Sequence, residues 1–354
     1  MKPTLSFVLL FGGWLLGGCD PRQADKTARK AACRIQKIVI ANQSDVSTQT
    51  NETNFSYDDD GNLTRKTQVQ NQTYPSGIGN QVYSVTDSYI YDNNGFLTTE
   101  KTETSERTTL PNNTTRTLQR LSTTTYTYTD GRLTRSQTRY QNPYGVVTNS
   151  TVVFTYNEKG ELFTKTDTRT TETVPDDAPE KPVGTGQGKR VWTYQNSKLV
   201  DYVEQFEGTE NRPLTLQNGL VTKMVINGGY VQQNTYDSQN RVLKTEEYLN
   251  GKLTTYFMRE WSEAKPATNT LPVFKGHPIV QPEFGSAGVL IRYDPYAINA
   301  QTNAVQHLSE TISRPEVNAQ GWVASATGEI RQLHPAALPQ RTTVTETYTY
   351  TDCQ

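Results

Sequence analysis

The chain has 354 residues, of which 35 are Lys or Arg and 36 are Asp or Glu, so its formal net charge is -1. A nearly neutral chain without a basic block has no electrostatic footprint for nucleic acid, and we therefore expect no nucleic-acid partner. Only 33% of the residues are hydrophobic and the mean hydropathy is -0.71. Because apolar surface is scarce, aromatic side chains must supply most of the burial in any core.

Residues 1–18 are predicted to be a secretory signal peptide. An apolar run from Leu5 to Leu16 is too short to cross a membrane. Leu16-Gly17-Gly18-Cys19 resembles the lipobox of bacterial lipoproteins, which implies that Cys19 is lipidated and becomes the new N-terminus. An ordinary signal peptide with a chance cysteine is the alternative. Residues 19–32 are polar and are predicted to be a tether. The expected location is the bacterial cell envelope, lipid-anchored, at the outer membrane or cell surface in preference to the inner membrane.

Residues 33–354 are predicted to form one all-β domain, because a single hairpin pattern recurs along most of this range. The pattern Tyr57-Asp58-Asp59-Asp60-Gly61-Asn62-Leu63 returns at 91–97, 156–162 and 236–242, and a form one residue shorter appears at 128–133, 194–199, 216–221 and 248–253. Asp or Asn followed by Gly between alternating runs is a hairpin signal, since tight turns need residues that tolerate positive φ. We therefore predict an antiparallel meander whose repeat turns contain Asp58, Gly61, Asp92, Gly95, Asp130, Gly131, Asn157, Gly160, Asn218, Gly219, Asp237, Asn240, Asn250 and Gly251.

One face of this sheet is predicted to be the core. Residues two apart on a strand share a face, so Phe55 and Tyr57 put two rings on one side. The Leu or Val after each turn is placed to meet such rings across the hairpin. These residues are Leu63, Leu97, Leu133, Leu162, Leu199, Val242 and Leu253. The opposite face is rich in Thr and is expected to be solvated.

The composition changes between about residues 263 and 340, where prolines concentrate and threonine thins out. This region is predicted to be an irregular, Pro-rich insertion within the same sheet, with a strand at 288–293 and a short helix around 302–308. Trp261, Tyr293, Tyr296 and Trp322 lie in or beside it. Their rings could stack on a sugar or contact a protein partner, or they could fill the core under long loops.

The two ends of the domain are predicted to meet. Near the C-terminus the chain has Tyr350-Thr351-Asp352-Cys353, the first half of a repeat, and the domain begins with Cys33-Arg34-Ile35, the second half. We expect the first and last strands to pair and close the curved sheet on itself, with a Cys33–Cys353 disulfide in place of the turn. Cysteine parity favours this pair once Cys19 carries lipid, although two unpaired buried cysteines are the alternative.

The Tyr-Asp-x-x-Gly-x-Leu copies resemble the YD repeats of RHS-type bacterial proteins, from about Phe55 to Leu253 and again at the last strand. In that family, strings of such repeats form curved antiparallel sheet that wraps as a shell around a toxin or other cargo. The chain is also similar in plan to small YD-repeat lipoproteins of unassigned function. The resemblance implies the local hairpin architecture.

No residues form a recognisable catalytic or metal-binding constellation. His277, His307 and His334 share no ligand spacing, and Asp58-Asp59-Asp60-Gly61 lacks the alternating ligands of an EF-hand. We therefore expect no enzyme, no metal and no cofactor. The predicted function is a lipid-anchored, non-enzymatic scaffold or binding module, whose partners are the membrane, through the N-terminal lipid, and a glycan or protein ligand. The alternatives are a carbohydrate-binding or carbohydrate-active surface lipoprotein and a small RHS-like shell holding a cargo.

Overall fold

The computed structural model describes residues 33–44, 47–74, 80–110, 112, 114–144, 146–171, 188–206, 208–226, 228–266, 274–278, 288–299, 301–333 and 341–351. These residues form 22 strands: β1 (Arg34–Ser44), β2 (Thr48–Tyr57), β3 (Leu63–Thr73), β4 (Asn80–Tyr91), β5 (Leu97–Thr109), β6 (Thr115–Thr129), β7 (Arg132–Gln141), β8 (Val147–Tyr156), β9 (Leu162–Thr171), β10 (Gly188–Gln195), β11 (Lys198–Phe206), β12 (Thr209–Asn211), β13 (Leu214–Gln217), β14 (Leu220–Ile226), β15 (Tyr230–Tyr236), β16 (Val242–Leu249), β17 (Lys252–Ser262), β18 (Val289–Ile298), β19 (Val305–His307), β20 (Ser309–Val317), β21 (Val323–Gln332) and β22 (Arg341–Thr351).

All these strands belong to one sheet, and consecutive strands pair antiparallel along most of the chain. The prediction of an all-β antiparallel meander is therefore confirmed. The helix predicted around 302–308 is wrong, because residues 305–307 form the short strand β19, which pairs with β18. The described part of the Pro-rich region adds β18, β20 and β21 to the same sheet. None of the described residues forms a helix long and apolar enough to cross a membrane.

The longer turns are closed by the side chain of their first residue. In the turn after β2, the amide of Gly61 donates to the carbonyl of Asp58 at 3.0 Å, and the amide of Asn62 donates to Oδ1 of Asp58 at 2.7 Å. Gly61 has a φ of 82°, and Asn240 takes the equivalent position with a φ of 63°. Asn is the residue that best replaces Gly in the left-handed region. The same side-chain capping is made by Asp92, Asn157, Asp237 and Asn318.

The shorter turns use two residues with positive φ, as type I′ hairpins require. Asp130 and Gly131 have φ values of 51° and 75°, and the pairs Asn218-Gly219 and Asn250-Gly251 follow the same pattern.

A bulge with a threonine follows many of the turns. Thr64, the residue after Leu63, has no partner in the register with β2, and its hydroxyl donates to the carbonyl of Ser56 at 3.1 Å. The bulged residue therefore satisfies a carbonyl that the shifted register leaves exposed. Equivalent bonds are made by Thr98, Thr134, Thr222 and Thr254.

Each repeat is tied to its neighbour by a tyrosine. The hydroxyl of Tyr91 donates to the carbonyl of Leu63 at 2.8 Å, so the ring at the end of one hairpin bonds the residue after the previous turn. Tyr57, Tyr128, Tyr156, Tyr236 and Tyr350 make the corresponding bond to Ile35, Leu97, Leu133, Val221 and Val323. Burial of these rings raises the pKa of Tyr57 and of Tyr350 to about 12, so both hydroxyls stay protonated donors at neutral pH.

The residues after the turns fill the core, as predicted for most of them. Leu63, Leu97, Leu133, Leu162 and Leu199 are buried, whereas Val242 and Leu253 are half-buried. Two local clusters can be distinguished. One lies around Ile35, Phe55 and Leu63, and the other around Leu162, Tyr194 and Leu199. Both are built from neighbouring strands, so the inner face of the sheet is stabilised locally.

The first and last strands pair as predicted, with Ile35 opposite Tyr350. The register shifts between Ile35 and Lys37, which matches the shift in the turn-linked hairpins. Strand pairing is nevertheless interrupted at β12 and β13, since among the described residues β12 pairs only with β11 and β13 pairs only with β14. These strands are separated only by Arg212 and Pro213, and proline has no N–H to donate to a ladder. The sheet is therefore not closed by a continuous hydrogen-bond ladder.

Candidate functional site

The first part of the Pro-rich region, between β17 and β18, lies inside one repeat hairpin. Trp261 on β17 pairs with Leu290 on β18 across a register shift, as a tyrosine pairs with a leucine elsewhere. The indole nitrogen of Trp261 donates to the carbonyl of Val242 at 2.9 Å, which is the bond that the repeat tyrosines make. The residues between the two strands thus replace a tight turn with a long excursion.

Part of this excursion contacts strands far from its own hairpin. We call Phe274–His277 the strap. The amide of Leu133, after the turn between β6 and β7, donates to the carbonyl of Gly276 at 2.8 Å. Lys275 donates to the carbonyl of Asn94 at 2.8 Å, and its Nζ lies 4.3 Å from the ring centroid of Phe96. The strap is therefore held by main chain and side chains at the turn ends of β4 to β7.

The surface that receives the strap is built from repeat tyrosines. The ring of Phe274 lies 5.6 Å from that of Tyr89, and the ring of His277 lies 5.2 Å from that of Tyr126. Nε2 of His277 is 2.9 Å from the hydroxyl of Tyr128. Tyr128, which ties one hairpin to the next, thus also binds the strap.

Gly276 allows this close approach. Its φ is 78°, and a Cβ at this position would lie 2.6 Å from the carbonyl oxygen of Gly131. A residue with a side chain would therefore both strain the backbone and collide with the opposite turn.

The hydrogen bond between His277 and Tyr128 has a defined direction. The single hydroxyl hydrogen of Tyr128 goes to the carbonyl of Leu97, at 2.9 Å, so Nε2 of His277 must carry the hydrogen of the second bond. Burial lowers the pKa of His277 to about 4, and the ring is neutral at neutral pH. The strap is thus bound by a neutral Nε2–H tautomer.

Two carboxylates on the inner face near the strap, those of Asp87 and Glu100, are hydrogen-bonded by neighbouring side chains. Asp87 accepts from Thr102 at 2.8 Å and lies 3.3 Å from the ammonium of Lys66. Glu100 accepts from the hydroxyl of Tyr126 at 2.7 Å. Burial raises the pKa of Glu100, and this hydrogen bond partly opposes the shift.

The four aromatic residues singled out from the sequence do not come together. Trp261 and Tyr293 are on the inner face, whereas Tyr296, three residues after Tyr293, is on the outer face. Tyr296 is stacked between Tyr256 and His307, with centroid distances of 4.5 and 4.4 Å. Trp322 packs against Lys265, whose Nζ is 5.2 Å from its ring centroid.

Sequence reasoning missed the strap and Arg259. The strap has only a weak signal, a glycine between Lys275 and His277 in a Pro-rich stretch. Arg259 could have been found by parity, because it lies two residues from both Phe257 and Trp261 and so shares their face.

The described residues include no group of three or more His, Cys, Asp and Glu side chains placed to hold a metal ion. A groove of about 590 Å³ lies where β6 extends past the end of β7, and it is lined by the strand edge from Thr117 to Leu121 and by residues 141–143. It contains no cluster of titratable groups.

Cys33 is in a disulfide. Its predicted partner Cys353 lies outside the described residues, and the nearest described pair at the chain ends is Arg34 with Thr351. His334 and Cys19 also lie outside the described residues.

No protein-family model and no curated protein matches this chain. Among solved structures, a porin-like protein from Bacteroides uniformis ATCC 8492 is similar over 89% of this chain and 97% of that chain, with 14% identity and a TM-score of 0.35. OccK5 (OpdH) of Pseudomonas aeruginosa is similar over 90% of this chain and 98% of that chain, with 7% identity and a TM-score of 0.22. At these TM-scores the likeness carries no conclusion about function.

These comparisons correct the family assignment made from the repeats. No family model for YD repeats matches, and the two solved structures named above are not YD-repeat or RHS-type proteins. The identification as a YD-repeat, RHS-type lipoprotein is therefore wrong, and so is the cargo-holding shell that depended on it. The classification as a lipid-anchored protein also finds no support in these comparisons. The repeated hairpin itself is a property of this chain's own strand pairing.

Proposed function

We propose that the chain is a non-enzymatic binding module of the bacterial cell envelope, which holds its ligand on the inner face of the sheet beside the strap. The observation that carries the proposal is the strap itself, since a segment from β17–β18 binds the turn ends of β4 to β7. A segment that crosses between distant strands restricts access to the face beneath it. Restricted faces with aromatic and polar side chains are where proteins commonly bind ligands.

Two further observations support the location and the absence of catalysis. Cys33 is in a disulfide, a bond typical of oxidising compartments such as the bacterial periplasm, and residues 1–18 have the composition of an export signal. The buried carboxylates Asp87 and Glu100 are each engaged by neighbouring side chains. Both carboxylates therefore already have structural partners in the inner face, which is consistent with a non-enzymatic role.

A carbohydrate ligand stacked on exposed rings is less well supported. Sugar stacking needs an open ring face, but Tyr296 is covered on both faces by Tyr256 and His307. Trp322 is covered by Lys265, and the backbone of Gly288 packs against the ring of Trp261, since a Cβ at Gly288 would lie 2.9 Å from the indole. The geometry therefore favours recognition through polar and charged contacts on the inner face.

The proposal is tested with the full chain. We expect it in the envelope fraction after expression in a bacterial host, and we expect the purified protein to retain peptides or polysaccharide fragments from envelope extracts in equilibrium dialysis, with their masses unchanged. A cytosolic location, or a change in ligand mass, would contradict the proposal.

Matched variants locate the binding face. Phe274→Ala removes a ring from the strap, whereas Phe163→Ala removes a ring that is half exposed on β9. Retention should change for the first variant and not for the second. An equal change in both would exclude the inner face beside the strap.

A further inference from the structure

Arg259 extends from β17 onto the inner face beside a pair of stacked aromatic rings. Its guanidinium carbon is 6.0 Å from the ring centroid of Phe257 and 5.4 Å from that of Tyr293. The two rings are nearly parallel, with centroids 5.8 Å apart and an interplanar angle of 10°. The guanidinium is thus stabilised by ring faces that fix its position.

Arg259 is held on one side by a chain of hydrogen bonds through uncharged groups. Nη1 of Arg259 donates to Oγ1 of Thr245 at 2.8 Å, and the Thr245 hydroxyl donates to Oδ1 of Asn234 at 3.0 Å. Nδ2 of Asn234 in turn donates to the carbonyl of Val221 at 3.1 Å. Thr245 and Asn234 are both buried, so this support is rigid.

The charge of Arg259 has no acidic partner among the described residues. Arg169 and Arg190 on the same face are paired with Asp167 and Glu204, at 2.9 and 3.3 Å. Only one of the five guanidinium N–H donors of Arg259 has an acceptor in the described part of the chain. Burial lowers the pKa of Arg259, yet an arginine stays charged at any physiological pH.

The nearest acid on this face forms no ion pair with Arg259 among the described residues. Glu247 on β16 acts on Tyr230, whose pKa is raised by burial and then by this carboxylate, and it also contributes to the raised pKa of Tyr293. A half-buried cation without a counter-charge costs free energy that an anionic ligand would offset.

We infer that Arg259 is a carboxylate-binding residue, positioned by Thr245 and by its contacts with Phe257 and Tyr293, which takes a ligand carboxylate on its unoccupied N–H donors. Guanidinium binds carboxylate in a planar, two-bond arrangement, which needs two such donors on one edge of the group. The ligand class is a carboxylate carried by a peptide C-terminus or by an acidic sugar. This inference rests on the proposed binding function and adds the chemical group that is recognised.

The test uses the full chain and paired probes in isothermal titration calorimetry. One pair is a short N-acetylated peptide with a free C-terminus and its C-terminal amide, and the other is a glucuronic acid oligosaccharide and its methyl ester. We expect one acid to bind and its neutral partner to bind at least tenfold more weakly, because charge-assisted hydrogen bonds are lost. The pair that responds identifies the source of the carboxylate.

Variants separate binding from a purely structural role. Arg259→Gln should weaken binding of the responding acid at least tenfold, whereas Arg169→Gln on the same face should leave it unchanged. Without ligand, Arg259→Gln should unfold at the same or a higher temperature, since it removes an uncompensated charge. Failure of both acids to bind the native chain, or binding retained by Arg259→Gln, would overturn the inference. If Arg259→Gln still retains envelope ligands, the proposed binding function stands and only the assignment of Arg259 fails.

Discussion

Tyr128 is the residue at which the repeat and the strap depend on the same atom. Its hydroxyl donates to Leu97 and accepts from His277, at 2.9 Å in each case. Among the described residues, the hydroxyl of Tyr156 makes only the repeat bond, to the carbonyl of Leu133 at 2.6 Å. Tyr128→Phe therefore removes two hydrogen bonds, whereas Tyr156→Phe removes one at the equivalent position of the next repeat.

The expected losses follow from these bonds. A net contribution of about 1 kcal/mol per hydrogen bond gives a loss of about 1 kcal/mol in the free energy of unfolding for Tyr156→Phe. Tyr128→Phe should lose about 2 kcal/mol, because it also leaves the buried Nε2–H of His277 without an acceptor. Urea denaturation followed by circular dichroism measures both values.

Hydrogen exchange distinguishes the strap from the sheet. The amide of Leu133, which donates to Gly276, should exchange faster in Tyr128→Phe and should keep its protection in Tyr156→Phe. If the two variants lose equal stability, or if Tyr156→Phe exposes this amide as much, then the strap is not bound through Tyr128.

Three further outcomes are expected. The pKa of His277 is depressed to about 4 in the folded chain, so the unfolded chain takes up its proton first as the pH falls. The stability that neutral His277 gives the strap should be fully present above about pH 6.5 and should decrease as the pH falls towards 4. The pH dependence should disappear in His277→Gln. Hydrogen exchange of the Leu133 amide, measured as a function of pH, checks both outcomes. Peptide mapping of the non-reduced chain identifies the partner of Cys33 in its disulfide. If the partner is Cys353, the disulfide closes a loop of about 320 residues. Its reduction should then lower the free energy of unfolding by about 5 kcal/mol. Gly276→Ala should release the strap, because the added Cβ would lie 2.6 Å from a carbonyl oxygen. Gly95→Ala, at the same φ of 78° but with no atom near the added Cβ, should cost only about 1 kcal/mol of backbone strain. Equal effects of the two variants on hydrogen exchange of the strap would refute the steric reasoning.

The sequence indicated the hairpins because their causes are local. Asp58 and Gly61 close their own turn, and the leucine that follows meets a ring six residues earlier in the chain. The pairing of Ile35 with Tyr350 could also be inferred, since the two ends carry the halves of one repeat. The bulge threonines also have a local signal in the sequence, the recurrent Leu-Thr or Val-Thr after the turns.

What the sequence alone determined is therefore the alternation of strand and turn, the face that is buried, and the meeting of the two ends. Only the tertiary structure decided where the strap binds, which partner each tyrosine hydroxyl has, and which arginine lacks a counter-charge. Turn and strand preferences depend on neighbours within a few residues, so they are written in the local pattern. The contact of Gly276 with Leu133 joins residues more than a hundred positions apart, and its geometry depends on how the whole sheet curves.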